Sequence, residues 1–163
     1  MKTINKIMYK KIKGYLIQLL VVVGLICGFR SMVMVVVVDG SSMDPTFTDH
    51  ERGLALINFR KGSPDRYSPV IIDFDNSDSL WVKRVIGLPN EKIEAKNGKV
   101  YVNDIPLDEP YLSKDRMTSD FGPVVLKEDE YWVMGDNRPV SQDSRVIGPV
   151  KADRIRSEHL VFF

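Results

Sequence analysis

The feature that most constrains this chain is residues 15–29, YLIQLLVVVGLICGF, where Gln18 is the single strongly polar side chain. A stretch this apolar has to be buried in a core or in a bilayer. Its fifteen residues reach about 22 Å as a helix, whereas a bilayer core is roughly 30 Å thick. A membrane span must therefore borrow neighbours, residues 12–14 on one side or 31–34 on the other, with Arg30 snorkelling toward headgroups. A basic start and an apolar run also fit a cleaved secretory signal. No small-x-small cleavage motif follows, and Arg30 and a second apolar run come next, so an uncleaved anchor is the better reading.

Charge sets the expected topology. Lys2, Lys6, Lys10, Lys11 and Lys13 precede the span without an acid, giving residues 1–29 a charge of +5 within a total of +1 and leaving −4 for the rest. By the positive-inside rule the lysines stay in the cytoplasm and residue 31 onward is exported. The chain divides into a cytoplasmic basic tail (1–13), a transmembrane anchor (14–31) and an extracellular domain (32–163), a single-pass protein of the cell membrane with lipid as one partner. A mildly acidic body lacks the basic face of a nucleic-acid binder, so no nucleic acid is expected. Cys27, the only cysteine, excludes an internal disulfide. His50 and His159 stand far apart without partners at ligand spacing, so no metal site is expected.

After the anchor, residues 32–38 read MVMVVVV, whose β-branched density suits a buried strand that emerges from the membrane and runs into Gly40. Short apolar runs follow at 54–59, 70–74, 80–86, 100–102 and 131–134, separated by turn signals such as Lys61-Gly62-Ser63-Pro64 and Leu88-Pro89-Asn90. Asn97-Gly98, between 93–95 and 100–102, predicts a hairpin with a tight primed turn. Residues 113–122 are the most polar segment and read as a mobile flap. No long amphipathic helical pattern appears beyond residue 40, so the domain is expected to be mainly β.

Three segments carry chemistry. Gly40-Ser41-Ser42-Met43-Asp44-Pro45-Thr46 offers serine hydroxyls, which are poor nucleophiles without a base in hydrogen-bond reach. Neither histidine lies in a promising context, but a lysine serves if apolar burial brings its pKa toward neutrality. In Trp81-Val82-Lys83-Arg84-Val85-Ile86, strand alternation puts Trp81, Lys83 and Val85 on one face and Val82, Arg84 and Ile86 on the other. Lys83 then has apolar neighbours on its own face. The third segment runs from Met134-Gly135-Asp136-Asn137-Arg138 to Ser141-Gln142-Asp143-Ser144-Arg145, a turn around which Asp136, Arg138, Asp143 and Arg145 can pair into a charge network.

In this order the three segments resemble type I signal peptidases, the compact Gram-positive kind in particular. The resemblance runs from the anchor to about residue 150. It implies a fold of antiparallel sheets, related to that of self-cleaving repressor proteases, behind one N-terminal transmembrane helix. It also implies a cofactor-free serine endopeptidase that removes signal peptides from exported preproteins, with small residues at the first and third positions before the cut. The family pattern places the nucleophile immediately before Met43, which selects Ser42 over Ser41, with Lys83 as base and Met43 as a wall of the substrate cleft. Ser141 is expected to hydrogen-bond the Lys83 amine, and Asp143 and Arg145 to hold the loop in shape. The Ser42 backbone amide is the identifiable oxyanion donor. Some relatives carry a serine at the position of Gly40 that supplies a second donor, and here that donor is missing. Asn90 stands where the family shows glycine after the proline, and asparagine tolerates the left-handed conformation that glycine would supply.

Three rival functions remain. A repressor protease would need a DNA-binding module and a soluble chain, against which residues 1–31 argue. A signal-peptidase-like factor devoted to pilin processing or pilus assembly would share the same motifs. A plain anchored binding domain would make Ser42 dispensable for any proteolysis.

Overall fold

The computed structural model of the chain describes residues 2–57, 63–73, 80–113, 117–157 and 159–163. It forms two compact units, Met1–Met34 and Val35–Phe163. The first is a single helix, α1 (Lys2–Met32, 31 residues). It runs unbroken through the basic tail, because that segment has no proline and its lysines and isoleucines are adequate helix formers. Within it Lys11–Arg30, 20 residues of mean hydropathy 2.0, is long and apolar enough to cross a membrane. At about 1.5 Å per residue that span covers roughly 30 Å, so the shortfall of the purely apolar stretch is made up by helix on both sides. Leu16, Leu20, Leu25 and Phe29 are all more than half exposed, an apolar surface that runs around the helix.

The second unit is antiparallel β structure. Its strands are β1 (Val33–Val37), β2 (Arg52–Leu56), β3 (Pro69–Asp73), β4 (Leu80–Gly87), β5 (Lys92–Lys96) and β6 (Lys99–Val102). They continue with β7 (Ile105–Pro106), β8 (Phe121–Val125), β9 (Glu130–Met134), β10 (Val150–Lys151), β11 (Ile155–Ser157) and β12 (His159–Phe162). One short helix, α2 (Ser144–Ile147), follows β9. The strands form three sheets in the orders β1-β2-β12, β10-β9-β4-β3-β11 and β7-β6-β5-β8.

The central strands β4 and β9 are largely buried on both faces, so apolar side chains leave them on both sides of the sheet. Val85, Tyr131 and Val133 pack with Val70, Ile72 and Ile155 on one side. Ile86, Trp132 and Met134 pack with Ile93, Val100 and Leu126 on the other. Paired side by side, with Arg84 opposite Met134 and Val70 opposite Lys83, these strands present two charged side chains from a wall of buried hydrocarbon.

The hairpin expected at Asn97-Gly98 joins β5 to β6, with both residues at positive φ (52° and 79°), as a primed turn requires. Asn90 takes the left-handed conformation at φ 66°. The chain's last run forms a strand, β12, antiparallel to β2. The expected strand 54–59 is β2, placed two residues earlier, and its residues 58–59 lie outside the described ones, as do Phe74 and Lys61-Gly62. Of the segment read as a flap, residues 114–116 also lie outside them, and its end was misread: Phe121 opens β8 and stacks on Trp132 with ring centroids 5.0 Å apart. Gly122 and Pro123 masked that strand, since both are uncommon in strand interiors.

Candidate active site

Ser42 sits in a loop closed at its base by Val38 and Glu51. The Val38 amide donates to Glu51 O and the His50 amide donates to Val38 O, each at 2.9 Å. Inside the loop, Met43 is fully buried and its carbonyl accepts from the amides of Thr46 and Phe47, so the residue after Ser42 is pinned to the body of the domain. Phe47 rests on Phe162 of β12, ring centroids 4.2 Å apart. Gly40 enters the loop at φ +89°, a conformation glycine adopts without penalty, and its amide donates to Asp49 Oδ1 at 2.8 Å. A serine there would be strained, and the Gly40 amide, already engaged, is no free oxyanion donor.

Lys83 reaches this loop from β4. Its Nζ donates to Ser42 Oγ at 2.7 Å, across 41 positions of sequence. The side chain is 4% exposed, with Nζ 5.6 Å from the centre of the Trp81 ring on the same face. Burial strips the ammonium of water and lowers the Lys83 pKa from 10.5 to about 8, against the opposing pull of the Asp143 and Asp136 carboxylates. A cleft of about 450 Å³ opens over the pair, lined among others by Val38, Ser41, Met43, Trp81, Val140 and Gln142.

The segment after β9 wraps behind Ser42. The Asn137 amide donates to Ser42 O and its side-chain Nδ2 to Ser41 O, each at 3.0 Å. Gly135 faces the Ser42 carbonyl and Ser141 Oγ so closely that a Cβ there would collide with both. The expected charge network exists, with different partners from those the sequence suggested. Asp136, fully buried, is bridged not by Arg138 but by Arg84, whose Nε donates to Oδ1 at 2.8 Å and whose second nitrogen donates to Oδ2. Thr46 joins the same carboxylate, and Tyr111 lies under the Arg84 guanidinium at 4.1 Å. Arg138 pairs instead with Glu109, donates to Thr118 and gives its Nε–H to Gly135 O at 3.0 Å. Arg145 and Asp143 do pair, at 2.8 Å, and Asp143 also accepts the Gly135 amide at 3.0 Å. Burial alone would raise the Asp143 carboxyl, but the hydrogen bonds from Arg145 and Gly135 hold it below the usual carboxylate range.

Ser141 departs from expectation. Its Oγ is buried behind Gly135 and makes no well-formed hydrogen bond among the described residues, but it lies close enough to the Asp143 carboxylate to help hold that group charged, while the Lys83 amine donates to Ser42. Sequence reasoning missed Arg84, Thr46, Glu109, Thr118 and Asn137. One signal existed for Arg84, a charge on a strand face it shares with Val82 and Ile86, where burial demands a counter-ion. Glu109 and Thr118 gave none, because they come to Arg138 from 29 and 20 positions away.

Antiparallel sheets that follow an apolar helix in the chain, with a serine hydroxyl and a buried amine in contact at a cleft, are features of a serine endopeptidase. Residues 11–163 match the model of the signal peptidase family, peptidase S26. The chain is 41% identical over 138 residues to signal peptidase I of Bacillus licheniformis, covering 77% of this chain and 74% of that protein. It is 42% identical over 120 residues to signal peptidase I S of Bacillus subtilis, covering 67% and 64%. A crystal structure of a signal peptidase I from Enterococcus faecalis superposes with a TM-score of 0.53 at 30% identity, over 60% of this chain and 97% of that one. The chain belongs to the type I signal peptidases of family S26.

Proposed function

We propose that Ser42 and Lys83 carry the hydrolysis and that the substrates are exported preproteins, cut where the signal peptide ends. The observation behind this reading is the 2.7 Å contact between Lys83 Nζ and Ser42 Oγ at the floor of the cleft. Near its pKa of about 8, a useful fraction of Lys83 is neutral. The neutral amine takes the Ser42 proton as Oγ attacks the scissile carbonyl. The tetrahedral oxygen is held by the Ser42 amide, the leaving amine is protonated by Lys83, and an acyl-enzyme remains. Once Oγ is esterified, Lys83 has lost its hydroxyl partner, and the orientation of the amine falls to Ser141, as the family pattern implies; its hydroxyl lies between Gly135 and the Asp143 carboxylate. Water, deprotonated by Lys83, then releases the product. Asp136, Arg138, Asp143 and Arg145 hold the loop that backs Ser42, and Met43 anchors the nucleophile from below the cleft.

The stretch before the cut adds as a β-strand along the cleft edge, so that small pockets read small side chains at its first and third positions. The five lysines keep residues 1–13 in the cytoplasm, 14–31 form the anchor, and 32–163 work outside the cell. Enzyme and signal sequence then share one membrane, which raises their effective concentration without added affinity. The test is cleavage of a synthetic signal-peptide substrate by the detergent-solubilised chain beside Ser42→Ala and Lys83→Ala. Both variants should be inert; cleavage that survives either one would sink the assignment.

A further inference from the structure

We infer that Asn137 is a positioning residue that aims the Ser42 backbone N–H at the oxyanion. This role rests on Ser42 being the nucleophile, as proposed above. Asn137 holds both peptide planes that flank Ser42: its Nδ2 donates to Ser41 O and its own amide donates to Ser42 O, each at 3.0 Å. A carbonyl can only accept, so the side-chain amide must present its nitrogen there and its orientation is fixed by chemistry. In a trans peptide the C=O and the N–H point in opposite directions. Neither peptide bond of Ser42 is among the cis bonds of the described chain. Holding Ser41 O toward Asn137 therefore sends the Ser42 N–H away from Asn137. Ser41, Ser42 and Lys83 line the cleft and Asn137 does not, so the N–H leaves on the cleft side.

Beyond Asn137, one backbone contact holds that plane, the Asp44 amide donating to Ser41 O at the longer distance of 3.2 Å. Ser41 is exposed, and the residue before it is Gly40, whose Cβ side faces open space. Asn137 is well suited to the task, because its neighbours are immobilised: Asp136 by Arg84 and Thr46, Arg138 by Glu109. A half-buried side chain thus stands on a rigid base. Its importance is increased by Gly40, which leaves the Ser42 amide without the hydroxyl that assists it in some relatives. Hydrogen bonds weaken steeply as the donor angle falls, so a peptide plane free to rock would stabilise the transition state poorly while leaving ground-state binding alone.

The experiment compares full-length Asn137→Ala and Asn137→Asp with wild type and Ser42→Ala in detergent, measuring kcat and KM on a signal-peptide substrate from acid to alkaline pH. Neither variant removes the backbone amide that holds Ser42 O. Asn137→Ala should lower kcat about ten- to a hundredfold, less than outright loss of an oxyanion donor. KM and the pH of half-maximal rate should stay at their wild-type values. Asn137→Asp, nearly isosteric, should be at least as slow, because a carboxylate would face the Ser41 carbonyl oxygen. It also carries the test if the alanine variant melts below the assay temperature. Wild-type kcat in either variant would overturn the role, as would a loss in Asn137→Ala accompanied by a raised KM or a displaced pH profile, which would mark a general collapse of the cleft. If Ser42→Ala is inert and Asn137→Ala is unimpaired, only this inference fails; if Ser42→Ala still cleaves, the nucleophile assignment fails with it.

Discussion

Lys83 and Arg84 are neighbours on β4 and face opposite sides of the sheet: Lys83 Nζ touches Ser42 Oγ at 2.7 Å, and the Arg84 guanidinium is closed by Asp136. Both side chains are buried, yet only one has a carboxylate in contact. The pair separates the two demands on the site. Arg84 secures the loop behind Ser42 with a charge that never titrates. Lys83 is left poorly compensated, so it can give up its proton.

That difference predicts the pH dependence of cleavage. With a pKa of about 8, Lys83 is mostly protonated at neutral pH and the competent neutral amine grows as pH rises. The value of kcat/KM should climb about tenfold per pH unit below the midpoint and level off above it. A pH-rate profile on a soluble signal-peptide substrate gives the midpoint. Lys83→Arg should be inactive at every pH, since a guanidinium cannot serve as the base.

The same burial predicts that Lys83 is unfavourable for stability. Its folded pKa of about 8 lies below the ordinary 10.5, so below pH 8 both states hold the proton and the folded chain bears the full cost of a buried ammonium. Between pH 8 and 10.5 the folded state releases its proton first, and stability rises with pH. Lys83→Met should therefore be more stable than wild type by on the order of 3 kcal/mol at neutral pH. The advantage should shrink toward pH 10.5, while activity is absent throughout. Urea unfolding followed by Trp81 and Trp132 fluorescence at two pH values checks both the sign and the trend.

The Arg84–Asp136 bridge should behave in the opposite way. Asp136 is fully buried and Arg84 nearly so. Asp136→Ala leaves an uncompensated guanidinium in the core, and should cost about 3–5 kcal/mol. Arg84→Met alone strands the carboxylate at similar cost. The double variant Arg84→Met/Asp136→Ala should recover part of the loss, because neither charge is then stranded. A double-mutant cycle in melting temperature measures the coupling, and additive losses would contradict it.

How much of this was visible beforehand follows from where the information lies. The apolar helix and the β-rich domain were legible because each is a local pattern, an apolar run or a series of short strands between turns. The Asn97-Gly98 hairpin was legible for the same reason. Ser42, by contrast, was singled out from Ser41 only by the family pattern, and Lys83 by its company. Asp136 was seen as a charged turn residue, but its partner lies 52 positions away, and nothing near Asp136 distinguishes Arg84 from Arg138. Arg138 is next but one in sequence and was the natural choice. Strand pairing decided otherwise, since β4 lies beside β9 with Arg84 opposite Met134, two residues before Asp136. Register is a property of the sheet, and a charged loop of this kind reveals its pairs only when the register is known.

Gly135 provides the sharpest steric test. Its missing side chain leaves room for the Ser42 carbonyl on one side and Ser141 Oγ on the other, and its amide and carbonyl are taken by Asp143 and Arg138. Gly135→Ala would push a methyl group into both neighbours. The Ser141 hydroxyl can rotate away, but its Cβ would still lie 2.6 Å from the new methyl, and the Ser42 carbonyl is backbone, held in place by the Asn137 amide. The Ser42 loop must therefore shift as a whole. Overpacking of this kind costs about 1–3 kcal/mol in stability. Displacing Ser42 by even about 1 Å from Lys83 should lower kcat by about a hundredfold. The expected result is a variant that remains folded, melts several degrees lower and binds substrate with little change in KM, but acylates slowly. Single-turnover kinetics with an activated ester substrate would isolate that step, and an acylation rate equal to wild type would show that the loop absorbs the methyl group without moving the serine.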